Sequence, residues 1–248
     1  MPKTLPGIQP GSFVDRGGDP RQRLIVALDV STAAAARKIV AAVGDSAFIY
    51  KVGMQLYTGE GPQVVRDLVA SGRRVFLDLK YHDIPNTVLG AVAEATKLGV
   101  SMLTVHAAGG GKMLRAAVDA ARDRPELMIL AVTVLTSLGE TDLEKIGIHE
   151  PVEDAVSRLA GIALENGCHG VVASAQEAST LRATFGAGFA IVTPGVRPAG
   201  RAVGDQVRVV TPAQAIAAGA SHIVVGRPIT EAADPAAEAR AILAEMTR

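Results

Sequence analysis

The sequence lacks an excess of charge of either sign, because 25 Lys and Arg residues are balanced by 25 Asp and Glu residues. This balance excludes a bulk electrostatic attraction to nucleic acid or to an anionic membrane surface. Aromatic residues make up only 3% of the chain and Trp is absent, so base-stacking platforms are not expected. We therefore expect a protein that binds neither nucleic acid nor membrane, and any electrostatic function must be local.

Cysteine and long apolar runs are also scarce. Cys168 is the single cysteine, which excludes an intramolecular disulfide or a Cys-based zinc cluster and is typical of a reducing compartment. The N-terminal residues have no apolar signal-peptide core, and no run approaches the roughly 18 apolar residues of a membrane span. These absences predict a soluble protein located in the cytoplasm.

Short aliphatic runs, in contrast, are abundant and regularly spaced. Residues 1–23 are rich in Pro and Gly and are predicted to form a flexible N-terminal leader. Beyond them, runs suited to buried parallel strands recur about every 28 residues, the length of one βα unit. The runs cover residues 24–28, 48–52, 75–79, 102–105, 128–132, 170–173, 189–192 and 223–225. We predict that residues 24–248 form one (β/α)8 TIM barrel domain.

The connections between the runs fit this fold. Amphipathic stretches at 33–43, 88–98 and 152–165 predict helices, and Thr211 followed by Pro212 predicts a helix start. The connection after the fifth run is unusually long. Residues 194–211 are rich in Pro, Gly and Arg, which predicts a lid. Active sites of such barrels lie at the carboxyl ends of the strands.

A row of ionisable residues occupies those strand ends: Asp29, Lys51, Asp78, Lys80 and Asp83. Asp78 and Lys80 are two residues apart in one strand and should face the same side. Neighbouring carboxylates stabilise an ammonium on Lys80, which can then donate a proton. A carboxylate can also repel an anionic substrate group that departs as carbon dioxide. The pattern favours decarboxylation without a cofactor, with an ordinary ion pair at the barrel rim as the alternative.

Two histidines leave their roles open. His82 follows the third strand and His106 ends the fourth, and each could be an acid or base or a structural residue. Sequence motifs for a metal site are missing, so none is expected. Mg²⁺ held by Asp78, Asp83 and His106 is an alternative that the neighbouring lysines disfavour.

A phosphate site is predicted after the eighth strand. Gly226 and Arg227 stand where barrels often bind phosphate through backbone amides, and Arg adds a bidentate cation. The predicted lid contributes polar side chains that can close over such a group: Arg197, Arg201, Gln206 and Arg208. The alternative is a solvated loop that happens to contain arginine.

The longest motif is Val-Phe-Leu-Asp-Leu-Lys-Tyr-His-Asp-Ile-Pro-Asn-Thr at residues 75–87. Shorter motifs accompany it in order: Ala-Leu-Asp at 27–29, Lys-Val-Gly at 51–53, Thr-Val-Leu-Thr-Ser at 133–137, Thr-Pro-Gly-Val-Arg-Pro at 193–198, Gly-Asp-Gln at 204–206 and Val-Gly-Arg-Pro-Ile-Thr at 225–230. In these motifs the sequence resembles the orotidine 5′-phosphate decarboxylase family, and the resemblance covers about residues 24–240.

The resemblance implies a cofactor-free and metal-free conversion of orotidine 5′-phosphate to uridine 5′-phosphate in pyrimidine synthesis. It makes Lys80 the proton donor to C6 of the pyrimidine and puts Asp78 beside the departing carboxylate, with Lys51 and Asp83 completing the charged network. It also implies a homodimer with active sites shared across the interface.

The implied binding residues follow from the same motifs. Asp29 and Lys51 would contact the ribose, and Thr136 and Ser137 the pyrimidine. The phosphate or its lid would be contacted by Arg197, Gln206, Gly226 and Arg227. The segment carrying Asp83, Ile84 and Thr87 would reach into the partner subunit's site.

Two alternatives remain open. Within the same superfamily, 3-keto-L-gulonate 6-phosphate decarboxylase and hexulose 6-phosphate synthase use Mg²⁺ and an enediolate, and typically carry an acidic residue where Lys51 stands. Lys51 and the residues at 82–87 argue against them. The other alternative is a noncatalytic sensor of phosphorylated ligands, against which the presence of Asp78, Lys80 and Asp83 counts.

Overall fold

The strands of the protein form a closed parallel barrel in chain order, with β1 paired to β8. A computed structural model describes residues 18–198 and 210–247. The strands are β1 (Leu24–Ala27), β2 (Ile49–Gly53), β3 (Arg74–Tyr81), β4 (Met102–His106), β5 (Met128–Val132), β6 (Gly170–Val172), β7 (Ala190–Thr193) and β8 (His222–Val225). All eight predicted runs are strands, so the predicted (β/α)8 TIM barrel is confirmed.

Helices surround the barrel: α1 (Ala33–Val43), α2 (Met54–Glu60), α3 (Gln63–Ala70), α4 (Pro85–Thr96), α5 (Gly110–Ala120), α6 (Glu140–Lys145), α7 (Val152–Glu165), α8 (Ala175–Phe185), α9 (Pro212–Ala217), α10 (Arg227–Thr230) and α11 (Pro235–Met246). The long connection after β5 carries both α6 and α7. Helix α4 begins at Pro85, three residues before the prediction, because proline suits the first turn. The predicted start at Thr211 is confirmed by a hydrogen bond from the Gln214 amide to its hydroxyl.

The apolar core has two parts, which follow from the alternation of side chains along each strand. Inside the barrel, Ile25, Phe76, Met102 and Val192 pack together. A larger layer fills the space between the outer barrel face and the helices. In β3 the inward series that contains Phe76 continues towards the carboxyl end with charged residues, so the polar site begins where the inner core ends.

Residues 18–23, the last part of the predicted leader, pack against the barrel. Pro20–Gln22 form a helical turn, and the Arg21 guanidinium lies 4.7 Å from the centre of the Phe48 ring. Arg23 donates hydrogen bonds to the carbonyls of Ala220 and Ser221, at 2.8 and 3.0 Å. These contacts close the N-terminal end of the barrel. The predicted leader residues 1–17 lie outside the described residues.

Candidate active site

Three neighbouring strands bring four charged side chains into one row. Lys51 Nζ lies 2.7 Å from Asp29 Oδ1 and 3.7 Å from Asp78 Oδ2. Lys80 Nζ lies 2.9 Å from the same Asp78 oxygen. We call Asp29, Lys51, Asp78 and Lys80 the charged row. Negative and positive groups alternate along it.

The inner members of the charged row are shielded from water. Their side-chain exposures are 11% for Lys51, 13% for Asp78 and 25% for Lys80, against 60% for Asp29. Weak screening makes electrostatic interactions stronger than at an open surface. The row therefore offers a fixed ammonium, on Lys80, next to a fixed carboxylate, on Asp78. Such an arrangement can repel an anionic group and stabilise negative charge that develops when that group leaves.

Lys80 has an unusual backbone. Its φ is 51°, and it is the only residue other than glycine with positive φ in the described part of the chain. The pairing of β3 with β4 shifts register between Leu77 and Tyr81, around this residue. A left-handed conformation in a side-chain-bearing residue costs about 1–3 kcal/mol and is concentrated at functional sites. The regular alternation predicted for β3 is interrupted at this residue.

Two cavities meet at the charged row. The larger, of about 490 Å³, extends from Asp29 and Lys51 to Gly226 and Arg227. The smaller, of about 160 Å³, lies beside Lys80 and is otherwise largely apolar: its lining includes Phe76, Val132, Val134, Leu135 and Val172, with Thr136 at one side. Lys51 and Asp78 line both cavities. The site thus suits a ligand with a polar, anionic end and a less polar end.

Three of the four predicted phosphate residues line the larger cavity. Gly226 and Arg227 lie there as β8 leads into α10, and Arg197 lies there after β7. The Arg197 amide donates a 3.0 Å hydrogen bond to the Val210 carbonyl. Val196 and Val210 also form an isolated bridge, which joins the two ends of the predicted lid. Three predicted lid residues lie outside the described residues: Arg201, Gln206 and Arg208.

Some predicted residues are not brought to these cavities. Asp83, Ile84, Thr87 and Ser137 are exposed and line neither of the two. Asp83 Oδ1 accepts a 2.6 Å hydrogen bond from the Ile84 amide, and Ile84 is 67% exposed. The segment from Asp83 to Thr87 thus presents polar and apolar side chains on the protein surface, at the start of α4.

Sequence reasoning missed two residues that contact the charged row. The Thr104 hydroxyl, on β4, bonds to both Asp78 and Lys80. At Gly53, an added Cβ would lie 3.0 Å from Lys51 Nζ and 3.2 Å from Asp29 Oδ1. The glycine therefore leaves room for that ion pair. For Gly53, the signal in the sequence was its position two residues after Lys51 in the same strand. For Thr104, it was the position two residues before His106 in β4.

The two histidines lie together at the barrel mouth, with ring centres 5.4 Å apart. Burial, helped by His82 and Lys80, holds the pKa of His106 below its ordinary value. The neutral form of the His106 imidazole is therefore favoured. Across residues 18–198 and 210–247, no three His, Cys, Asp or Glu side chains are placed to hold a metal ion. Asp78, Asp83 and His106 thus do not assemble the Mg²⁺ site considered above.

Comparison with known proteins shows which family this chain belongs to. The family model described as Orotidine 5′-phosphate decarboxylase / HUMPS family matches residues 22–242. The chain belongs to this family. It is 55% identical to an orotidine 5′-phosphate decarboxylase of Halorhodospira halophila, over 90% of this chain and 95% of that protein. It is 53% identical to the enzyme of that name from Afipia carboxidovorans, over 92% and 96% of the two chains.

Solved structures agree with the family assignment. The orotidine 5′-phosphate decarboxylase of Lactobacillus acidophilus superimposes with a TM-score of 0.82 at 39% identity, covering 92% of this chain and all of that one. Membership in the orotidine 5′-phosphate decarboxylase / HUMPS family, with relatives of this name, makes the protein a decarboxylase, a carbon–carbon lyase. Within the described residues, every helix is too short or too polar to cross a membrane.

Proposed function

We propose that this enzyme converts orotidine 5′-phosphate to uridine 5′-phosphate in pyrimidine biosynthesis, without a metal or organic cofactor. The observation that carries the proposal is the charged row, fixed between a polar cavity and an apolar one. The names of its relatives support the same substrate. A nucleotide whose base bears a carboxylate has the chemistry that the row can act on.

The two cavities suggest how the substrate lies. Its phosphate occupies the larger cavity beside Gly226 and Arg227, and its ribose lies near Asp29 and Lys51. The pyrimidine then enters the smaller apolar cavity, next to Lys80 and Thr136. This orientation brings C6 of the base and its carboxylate to Asp78 and Lys80.

Lys80 is the proton donor in the proposed reaction. When the bond between C6 and the carboxylate breaks, carbon dioxide leaves and the electron pair remains in an sp² orbital at C6, outside the π system. The Lys80 ammonium, held 2.9 Å from Asp78, stabilises that charge and then transfers a proton to C6. The resulting neutral amine regains its proton from solvent. Asp78 repels the substrate carboxylate before the reaction, and its repulsion disappears with carbon dioxide.

Phosphate binding supports this chemistry from a distance. Contacts that do not take part in the reaction can supply binding energy that offsets the crowding of two carboxylates. Arg227, Gly226 and Arg197 are positioned for such contacts, and Gln206 joins them in the proposal from outside the described residues.

The proposed enzyme is a cytoplasmic homodimer with shared active sites. Asp83, Ile84 and Thr87 would complete the partner subunit's site, and Ser137 would contact the pyrimidine. The exposure of Ile84 and of Leu89, at 67% and 42%, supports a covered surface around the start of α4.

The first test is the ultraviolet absorbance of orotidine 5′-phosphate incubated with the purified protein and EDTA. We expect conversion to uridine 5′-phosphate by the wild type and by Lys38→Ala, which removes an exposed lysine of α1. Lys80→Ala should show no measurable turnover while keeping its circular dichroism spectrum.

Each other outcome would contradict a different part of the proposal. Conversion that stops with EDTA would contradict the metal-free mechanism. Turnover of a sugar phosphate with Mg²⁺, and none of orotidine 5′-phosphate, would favour the sugar-phosphate branch of the superfamily. Binding of uridine 5′-phosphate without turnover of either substrate would favour a sensor, and normal turnover by Lys80→Ala would refute the assigned proton donor.

A further inference from the structure

Thr104 links the two central members of the charged row through one hydroxyl. Its Oγ1 donates a 2.9 Å hydrogen bond to Asp78 Oδ1 and accepts one of the same length from the Lys80 amide. A hydroxyl carries one hydrogen and two lone pairs, so it can make both bonds at once. Thr104 is fully buried. It is also outside the lining of both cavities, and it therefore acts on a ligand only through its two partners.

The register of the sheet explains why this hydroxyl is needed. Pairing of β3 with β4 is regular up to Leu77 opposite Leu103 and resumes at Tyr81 opposite Val105. Three β3 residues therefore stand opposite Thr104 alone. A bulge of this kind interrupts the backbone hydrogen bonds of the ladder. The Thr104 side chain provides an acceptor for the Lys80 amide within that interruption.

The bulge also sets the direction of the Lys80 side chain. With φ at 51°, Lys80 is in the left-handed region. This conformation is unfavourable for lysine unless surrounding contacts stabilise it. Two described contacts hold it: the hydrogen bond from its amide to the Thr104 hydroxyl, and the ion pair between its Nζ and Asp78. Thr104 makes the first contact directly and supports the second, because its hydroxyl also binds the other carboxylate oxygen of Asp78.

We propose that Thr104 is a positioning residue that sets the geometry between the Lys80 ammonium and the Asp78 carboxylate. The inference rests on the proposed decarboxylation for its kinetic part, but its structural part stands without it. A methyl group in place of the hydroxyl removes both bonds and frees the bulge to relax. Serine keeps the hydroxyl and so keeps the geometry.

The kinetic test compares Thr104→Val, Thr104→Ser and the wild type with orotidine 5′-phosphate. Loss of a buried hydrogen bond to a charged group predicts a kcat lower by about 10-fold to 100-fold in Thr104→Val. KM and the Kd for uridine 5′-phosphate should stay within about threefold, because the contacts that bind phosphate and ribose are unchanged. Thr104→Ser should keep kcat within about threefold of the wild type.

Ser221→Ala is the matched control. The Ser221 hydroxyl is also buried, but it lies at the opposite end of the barrel. It accepts one hydrogen bond from the Ile191 amide, at 3.1 Å, and one from the charged Arg182 side chain, at 3.0 Å. It should lower the free energy of unfolding and leave kcat of the folded enzyme unchanged. An equal loss of kcat in Ser221→Ala and Thr104→Val would overturn the inference, and so would wild-type kcat in Thr104→Val.

A crystal structure of Thr104→Val gives a readout that does not depend on activity. We expect Lys80 to leave positive φ or its Nζ to separate from Asp78 beyond 4 Å. If both features persist, the inference is wrong, whether or not the wild type turns over substrate. A wild type without activity but with this structural change in the variant would overturn the proposed function and leave the positioning role of Thr104 standing.

Discussion

At the scale of single residues, His222 shows how far burial can shift protonation. It is the first residue of β8, is 6% exposed, and its Nδ1 has no hydrogen-bond partner among the described residues. Burial, together with the positive charges of Arg74 and Arg23, lowers its pKa to about 3. Between the ordinary pKa of 6.5 and a pH of about 3, the folded protein therefore holds a neutral imidazole that the unfolded chain would protonate.

This neutral histidine predicts that acid weakens the fold. The folded pKa of about 3 lies below the ordinary 6.5, so the contribution of His222 is complete above pH 6.5 and is lost as pH falls towards 3. Between pH 6 and 5 it should lower the free energy of unfolding by about 1 kcal/mol per pH unit. Urea titrations of the wild type and His222→Leu at fixed protein concentration measure the slopes. Equal slopes would contradict the assignment, since other groups titrate equally in both proteins.

Residues of the charged row were predictable from sequence, whereas the geometry that joins them was not. Asp29 follows a buried apolar run, and Lys51 and Asp78 lie towards the carboxyl ends of two others. Strand ends of a parallel barrel share one edge. The positive φ of Lys80 arises where β3 has two more residues than β4 between successive pairs. The conformational preferences of lysine do not predict it. Thr104 stands two residues before His106, but its role became identifiable only when its strand was placed beside the bulge.

At the scale of secondary-structure elements, β6 is the shortest strand and lies very close to β7. Its first residue, Gly170, stands opposite Ala190 in register. An added Cβ at Gly170 would lie 2.3 Å from the Ala190 carbonyl oxygen and 2.8 Å from the Ala190 Cβ. Backbone atoms of a closed barrel cannot move away independently, so the absence of a side chain sets the distance between these two strands.

Replacement of Gly170 should therefore destabilise the barrel. Overpacking a tight interior costs about 1–3 kcal/mol, and we expect Gly170→Ala to lower the free energy of unfolding by at least about 2 kcal/mol. Gly188→Ala is the control, because an added Cβ there meets no atom within 4 Å. Urea unfolding followed by circular dichroism compares both variants with the wild type. A Gly170→Ala variant as stable as Gly188→Ala would show that the strands can separate.

Elements were predicted well where they are buried and uniformly apolar. Parallel strands covered on both faces read as continuous aliphatic runs, and β5 (Met128–Val132) matches its run in both bounds. β3 (Arg74–Tyr81) is longer than its run because charged residues continue the ladder into the site. The same charges that end an apolar run are held there by contacts from other strands.

At the scale of the whole molecule, part of the predicted site lies on the protein surface, outside both cavities. Asp83 and Ile84 are exposed and line neither of the two cavities at the charged row. In the proposed dimer, one subunit supplies Lys80 and its partner supplies Asp83. The proposed division of residues between chains comes from the resemblance to the family motif. Strand spacing gives no information about it, because spacing describes one chain at a time.

Mixed subunits test the division directly. Lys80→Ala and Asp83→Ala should each be inactive alone, whereas a hybrid dimer has one site with both defects and one intact site. Random exchange of equal amounts makes half of the dimers hybrid, so activity should recover to about one quarter of the wild type. Native mass spectrometry confirms the exchange. Full exchange without recovered activity would show that the two residues do not serve one site.

Closure of the barrel also has a consequence for synthesis on the ribosome. The outer edge of β1 finds its partner only in β8, where Leu24 pairs with Ile223. At about 5–20 residues per second, the ribosome makes the roughly 200 residues between them in about 10–40 s. Throughout that interval the nascent sheet has two unpaired edges, which are the surfaces that favour association with other chains. Protection of the nascent chain therefore matters until the last strand has left the ribosome.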